Sequence, residues 1–346
     1  MALIMSPIEF EHHQVEGLVS IVIPTRGGER FIGATLASIG NQTYPNWEVI
    51  VVEDGPGGYT QRIVDEFASR HPHNKVKFHR NDRNYGASFS RNIAFSKSEG
   101  EFISLLDSDD RWFPDHLARA VAELRDSKAD VAYSSVVMIE DGTDVLLGVW
   151  GPDQADLADF AHRIFLRNFV TPSATVLRRD VIADVGSWDT NLRYCEDVGY
   201  WLRCIAAGKK FHYIGGCHCL YRKNHDGATT QKMCGTLEEF ADIVAGYVNM
   251  AGMRERTLRR FVAKAYVRAA HVHRKGNPLD DPSADAMRAS MLVMKAWRLR
   301  PKRVDYLLKA MWLRFRNIFR QSTAKTPTPA TVVLSLPEKA KIRHAA

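Results

Sequence analysis

Three short apolar runs constrain this chain more than any other feature: LVSIVIPT (Leu18–Thr25), WEVIVVED (Trp47–Asp54) and EFISLLD (Glu101–Asp107). Each is too short for a buried helix, and the first two are rich in Val and Ile, so each predicts a buried strand. The stretches between them have helical spacing. ERFIGATLASIGNQ (Glu29–Gln42) places Phe31/Ile32, Leu36 and Ile39 on one face. YTQRIVDEFASRH (Tyr59–His71) and GASFSRNIAFSKSEG (Gly86–Gly100) read as two more helices, the latter stopping at Gly100. KVKFHR (Lys75–Arg80) reads as a short strand. Strands that alternate with helices predict an α/β fold, a mainly parallel sheet flanked by helices. In such sheets the ligand crevice lies beyond the carboxyl ends of the strands. The three runs end in Thr25-Arg26, Glu53-Asp54 and Asp107-Ser108-Asp109, so polar groups far apart in sequence are expected at one edge.

The rest of the chain is less regular. DVAYSSVVMIE (Asp130–Glu140) predicts a strand, DGTD a turn, and VLLGVW (Val145–Trp150) the returning strand. SATVLRR (Ser173–Arg179) reads as another strand. EDVGYWLRCIAAG (Glu196–Gly208) predicts an amphipathic helix opening on two acids, which suit the positive end of its dipole. KKFHYIG and CHCLYRK read as two strands. Thr236–Lys275 and Ala284–Gln321 predict a C-terminal helical extension, broken by RKGNPLDDPSAD. The Pro/Thr-rich end predicts disorder. The expected organisation is an N-terminal extension (1–17), a catalytic domain (18–235), a basic helical region (236–321) and a tail (322–346).

Charge is unevenly spread. From Ala251 onward there are 22 Lys/Arg against 6 Asp/Glu, whereas the residues before it carry 25 against 34. An acidic body with a basic end points to an anionic partner for that end. MRERTLRRFVAKAYVRAAHVHRK (Met253–Lys275) and MLVMKAWRLRPKRVDYLLKAMWLRFRNIFR (Met291–Arg320) are basic and amphipathic. They suit peripheral contact with the inner membrane face, with Trp297, Trp312, Phe315 and Phe319 at the interface, or else packing on the catalytic domain. No recognised nucleic-acid motif is present. The five cysteines do not read as a disulfide framework, the N-terminus lacks the pattern of a signal peptide, and no run is long enough to span a membrane, which together suggest a cytoplasmic chain. Cys217-His218-Cys219 lacks the paired CxxC spacing of a structural zinc site.

Two acidic clusters carry candidate chemistry. Asp107 and Asp109, on alternate positions past a strand end, are able to hold a hard divalent cation; the competing role is an acidic cap on a helix starting near Pro114. Glu196 and Asp197 are either a catalytic base or simple helix caps. In CLYRKNHDGATT (Cys219–Thr230), Arg222 and His225 are candidates for phosphate contact, and His225 for metal ligation, with a solvated loop as the alternative.

Taken in order, VSIVIPTRG…TLASIGNQTYPNWEVIVVEDG, NYGASFSRNIAFSKSEGEFISLLDSDDRWFPDHL and SATVLRRDVIADVGSWDTNLRYCEDVGYWLR resemble the family 2 glycosyltransferases of GT-A fold, from about Leu18 to Thr230. The resemblance implies a nucleotide-sugar donor, Mn²⁺ or Mg²⁺, and a saccharide or lipid-linked saccharide acceptor. By it Pro24, Thr25 and Arg26 would line the nucleotide pocket. Glu53 would meet the base, usually uracil, although Glu-Asp-Gly-Pro stands here in place of the common Asp-Asp-Gly-Ser and makes Asp54 a second candidate. Asn84, Gly86, Arg91 and Asn92 match the stretch that orders the crevice. Asp107 would approach the ribose beside Ser108, Asp109 would ligate the metal, and Asp197, or failing that Glu196, matches the general base.

One metal and one carboxylate base fit a single inverting displacement, and sequence alone leaves a retaining reaction open. Two other readings stay open on the sequence. PTRGGERF is a faint match to a triphosphate-gripping loop, which would make the chain a nucleotidyltransferase. A non-catalytic scaffold binding sugar nucleotide or membrane is the other, against which the D-x-D and Glu-Asp pairs both stand.

Overall fold

The computed structural model describes residues 8–11, 13–223, 233–247, 255–275 and 282–324. The three apolar runs become β1 (Val15–Thr25), β2 (Trp47–Glu53) and, after β3 (Val76–Arg80), β4 (Gly100–Leu105). They form a parallel block in the order β3-β2-β1-β4, with Thr25 opposite Glu53 and Val22 opposite Leu105. Both faces are covered, which is why the runs are almost continuously apolar; among the buried exceptions, Ser20 Oγ donates to Glu48 at 2.6 Å. Ile21, Ile23, Val49 and Val51 pack with α1 (Ile32–Gly40) and α2 (Thr60–Arg70). The alternate residues Val22, Ile50, Val52 and Ile103 pack with α3 (Ala87–Ser96) on the other face. Gly100 does not stop α3, which ends at Ser96; it opens β4 instead.

Beyond β4 the sheet changes direction. The elements are β5 (Arg111–Trp112), α4 (His116–Ser127), β6 (Val131–Glu140), β7 (Leu146–Trp150), the short α5 (Gln154–Ala158) and α6 (Phe160–Arg163), β8 (Thr175–Arg178), α7 (Arg179–Val185), α8 (Glu196–Ala206) and β9 (Phe211–Lys223). Among the described residues nine strands form one sheet, β3-β2-β1-β4-β8-β6-β9-β5, with β7 on β6. β8 runs antiparallel to both β4 and β6, while β9 is parallel to β6. KKFHYIG and CHCLYRK, predicted as two strands, are the single strand β9. Gly215 and Gly216 adopt φ of +74° and +64°, the left-handed region open to glycine, and the pairing with β6 shifts across them.

The C-terminal region forms α9 (Met233–Gly246), α10 (Glu255–Lys275), α11 (Pro282–Leu299) and α12 (Val304–Ala324). The second predicted helix is split before α12, at a turn containing Pro301, as expected where proline cannot continue a helix. Leu258, Val262 and Tyr266 of α10 and Leu292, Val293 and Ala296 of α11 share one core with Tyr200 and Trp201 of α8. The helices are thus packed on the sheet-bearing part rather than tethered to it. Among the described residues, no helix is long and apolar enough to cross a membrane. The predicted tail and His225 lie outside the described residues.

A shared core makes a stability prediction. Leu258 is 1% exposed, so Leu258→Ala is expected to cost about 2–5 kcal/mol. Urea unfolding followed by tryptophan fluorescence should show one transition moved to lower denaturant. A sheet-domain transition left at its wild-type midpoint would show that the helices are not part of that core.

Candidate active site

At the carboxyl ends of β1, β2 and β4 lies a cleft of about 590 Å³. It is lined by Pro24, Thr25 and Arg26 after β1, Asp54 after β2, Asn84 and Gly86 before α3, Arg91 on α3, and Asp107, Ser108 and Asp109 after β4. Glu196, at the start of α8, and Arg222, near the end of β9, complete it. Twelve of the sixteen site residues expected from sequence therefore meet in one place. Glu53, Asn92 and Asp197 are not among the lining residues, and His225 is not described.

Glu53 and Asp54 separate because successive side chains of a strand point to opposite sides. Glu53 is buried away from the cleft, accepting from Thr60 Oγ1 at 2.7 Å and pairing with Arg80 Nε at 2.7 Å. Both of its oxygens are bonded on the α2 and β3 side of the sheet, to Thr60 and Arg80, whereas Asp54, the second candidate for the base, lines the cleft. Asp54 accepts the backbone N–H groups of Tyr85 and Gly86 at 2.8 and 2.7 Å and Asn81 Nδ2 at 3.0 Å. It shapes the loop that leads into α3.

The three aspartates after β4 also differ. Asp107 Oδ1 meets Arg91 Nη2 at 2.7 Å. Burial, with the charges of Asp109 and Glu196, pushes its carboxyl above the usual range, against the pull of Arg91. Asp109 faces the cleft. Asp110 is 1% exposed and does not cap a helix; α4 begins only at His116. Its Oδ1 accepts the backbone N–H of Arg222 at 2.9 Å, tying the loop after β4 to β9. Burial and the neighbouring aspartates drive its carboxyl well above the usual range.

Arg91 connects the two acidic clusters. Its side chain is 4% exposed, with Nη2 on Asp107, Nη1 3.1 Å from Glu196 Oε1, and the guanidinium 4.6 Å from the Trp188 ring centroid. Burial disfavours its charge, but the two carboxylates outweigh that and hold its pKa above the ordinary value. Glu196 is thus held on the Asp107 side. Asp197 is held elsewhere: Oδ2 accepts from Asn168 Nδ2 at 2.6 Å, and Oδ1 from the N–H of Val198 at 2.7 Å. The Asn168 amide is oriented by its own Oδ1, which accepts the N–H of Val170 at 3.1 Å. Burial and the adjacent Glu196 raise Asp197 to about 7.

Asn168 was not legible in sequence. It follows a compact loop in which Asp153 and Asp156 form a reciprocal cap on α5, and Arg163 and Arg167 both pair with Asp156. Glu239, on α9, is the other hidden contributor. Its carboxylate accepts the N–H groups of Arg193, Tyr194 and Cys195 at 2.9, 2.7 and 2.8 Å, immediately before Glu196-Asp197. The predicted boundary at residue 235 therefore cuts through the support of α8.

PTRGGERF also contributes more than the two polar residues singled out in it. Gly27, Gly28, Arg30 and Phe31 line the cleft. A Cβ at Gly28 would overlap Thr25 Oγ1 and come within 3.1 Å of Ser108 Oγ, so only glycine fits there. Arg222 lines the cleft, yet its guanidinium is occupied by Asp144 at 3.0 Å and Asp141 at 3.5 Å, acids at the turn between β6 and β7. Among the described residues no group of three or more His, Cys, Asp or Glu side chains is arranged to hold a metal unaided.

Residues 20–186 match the family model described as glycosyl transferase family 2. The chain is similar to the putative teichuronic acid biosynthesis glycosyltransferase TuaG of Bacillus subtilis, with 24% identity over 62% of this chain and 82% of that protein. It is also similar to the UDP-Glc:alpha-D-GlcNAc-diphosphoundecaprenol beta-1,3-glucosyltransferase WfgD of Escherichia coli, with 32% identity over 37% of this chain and 49% of that protein. Among solved structures, S. aureus TarS 1-349 in complex with UDP-GlcNAc has the same fold: TM-score 0.64 and 19% identity over 88% of this chain and 92% of that one.

The Arg91 bridge predicts an energetic signature. Arg91→Ala leaves Asp107 and Glu196 facing each other without their cation and is expected to cost about 3–5 kcal/mol. Arg91→Lys replaces a planar fork with one ammonium and should recover only part of this. Chemical denaturation of the two variants measures it, and a lysine variant as stable as wild type would show that charge alone, not the fork, holds the pair.

Proposed function

Because the chain belongs to glycosyl transferase family 2, we propose that it transfers a sugar from a UDP-linked donor to a hydroxyl of a saccharide acceptor, with inversion at the anomeric carbon. The observation that carries this reading is the division of four carboxylates around one buried arginine. Asp107 and Asp109 line the cleft, Glu196 is tied to Arg91, and Asp197 stands apart, held by Asn168. The names of TuaG, WfgD and the TarS complex support polysaccharide-related chemistry and a UDP-linked donor.

The donor set fits a hard divalent cation, Mn²⁺ or Mg²⁺. The carboxylates that open to the cleft, Asp107 and Asp109, offer only oxygen donors, and two such side chains leave coordination positions for diphosphate oxygens and water. Asp109 would hold it, with Asp107 beside it. When bound, the cation supplies positive charge to the leaving diphosphate. The chain itself contributes the rest. Arg91 keeps Asp107 oriented, and Gly28 lets the loop after β1 pack against Thr25 and Ser108.

Asp197 is the proposed general base. As the acceptor oxygen bonds to the anomeric carbon, the bond from that carbon to the diphosphate breaks and the electron pair leaves with the diphosphate. The acceptor proton passes to Asp197. A carboxylate raised to about 7 is a stronger proton acceptor than an ordinary aspartate and is still substantially ionised near neutral pH. The proposed acceptor is a lipid-linked or cell-surface saccharide.

Three results test this reading. Incubation with nucleotide sugars and a divalent cation should release nucleoside diphosphate; release of pyrophosphate from nucleoside triphosphates instead would favour a nucleotidyltransferase. Asp109→Ala should lose metal-dependent donor binding, and Asp197→Asn should keep donor binding while transfer falls by about 10²–10⁴-fold. Normal transfer in both variants would remove the site assignment.

The base also sets a pH dependence. It must be deprotonated to act, so transfer under saturating substrate should rise through an apparent pKa of about 7. The Asn168 N–H favours the charged carboxylate, so Asn168→Ala should move this acid limb to higher pH. Charged and titratable groups facing Asp197 are Glu196, Arg91, Asp107, Cys195 and Tyr221, all retained in that variant. An unmoved limb would assign the titration to another group.

A further inference from the structure

The basic helices present several apolar faces in sequence, and among the described residues one of them stays largely exposed. Leu258 and Val262 of α10 and Leu292 and Val293 of α11 are buried in the shared core. Trp297, expected at an interface, packs against that core, and its Nε1 donates to Pro301 O at 3.2 Å. The side chains of Phe315 and Phe319 lie outside the described residues. On α12, Tyr306, Ala310 and Leu313 are buried. Val304, Leu308, Met311 and Trp312 are 55%, 61%, 57% and 50% exposed. Their spacing, i, i+4, i+7 and i+8, makes one stripe on the side of α12 opposite the buried residues.

Cations accompany this stripe. Lys309 and Arg314 are exposed on its two flanks, and Lys302 just precedes α12. On α10, Arg256, Arg260, Lys264 and Arg268 are all exposed and fall every fourth residue, a continuous basic ridge.

We propose that α12 lies in the surface of an anionic phospholipid bilayer, with the Val304–Trp312 stripe at the headgroup–acyl boundary and the surrounding lysines and arginines on the lipid phosphates. An apolar stripe with cationic flanks matches a medium that is oily below and negative above. A second copy would bring the same cations against themselves, and a nucleic acid would leave the apolar stripe without gain. The acidic body that precedes these helices would be repelled by such a surface, which favours one orientation of the chain.

The full chain should co-sediment with vesicles of phosphatidylglycerol and phosphatidylcholine, far less with phosphatidylcholine alone, and less as salt rises. Leu308→Glu combined with Met311→Glu, both at exposed positions, should weaken vesicle binding at least about tenfold without moving the thermal midpoint. Arg260→Glu with Lys264→Glu should weaken it on anionic vesicles and reduce its salt dependence. Absence of wild-type binding to anionic vesicles overturns the proposal, and so does undiminished binding by the Leu308/Met311 variant. Sedimentation equilibrium showing a dimer that the same variant abolishes, without vesicle binding, assigns the stripe to a second copy and overturns it equally. Retention on a polyanion column without vesicle binding does the same. None of these readouts depends on donor or acceptor, so the glycosyl-transfer reading stands or falls separately.

Discussion

The site depends on one buried cation. Arg91 sits 4% exposed between Asp107 and Glu196, with its guanidinium against Trp188. Without it, the loop after β4 and the start of α8 would approach with the same charge. With it, two segments far apart in sequence share one positive centre, and the cleft has a fixed wall. Burial argues against charging any of the three groups, but a planar fork able to bond both carboxylates recovers much of what desolvation costs. The remaining excess of negative charge is visible in the raised carboxyl of Asp107.

The same economy separates adjacent acids into different tasks. Asp110 is drawn under the sheet to the N–H of Arg222, Asp54 is consumed by the N–H groups before α3, and Glu53 turns to Arg80. Carboxylates that are fully bonded to protein groups shape the cleft. Asp107 and Asp109 line the cleft itself. Asp197 is intermediate: it is bonded to Asn168 and Val198, yet burial and Glu196 leave it near neutrality. Two neighbouring acids thus acquire different protonation behaviour from their surroundings, the usual means by which one fold separates proton transfer from charge binding.

The C-terminal helices belong to this arrangement. Glu239 closes the N-terminal turn before α8 from α9, and α10 and α11 extend the core that holds Tyr200 and Trp201. Their basic, amphipathic sequence suggested either membrane contact or packing. Packing takes the apolar faces of α10 and α11, while α12 retains both a buried and an exposed one. A helix amphipathic pattern reports that a face needs covering; it does not report what covers it.

The sequence by itself determined the parallel half of the fold. Runs buried on both faces are almost continuously apolar, so β1, β2 and β4 were legible, and so was the edge at which Thr25, Asp54, Asp107 and Asp109 meet. The ordered motifs also carried the family. Only the tertiary structure decided which acid does what. Glu53 and Asp54 are adjacent in sequence and fall on opposite sides, because the strand pleat and the partners beyond it assign direction. Asn168 and Glu239 carry no local signature, since their hydrogen bonds cross 29 and at least 44 residues to groups that sequence spacing does not bring together. β9 likewise became one strand because two left-handed glycines absorb a register shift that only its pairing with β6 reveals. Local composition encodes which surfaces must be buried; the pairing of buried charges is set by distances that exist only once the chain has folded.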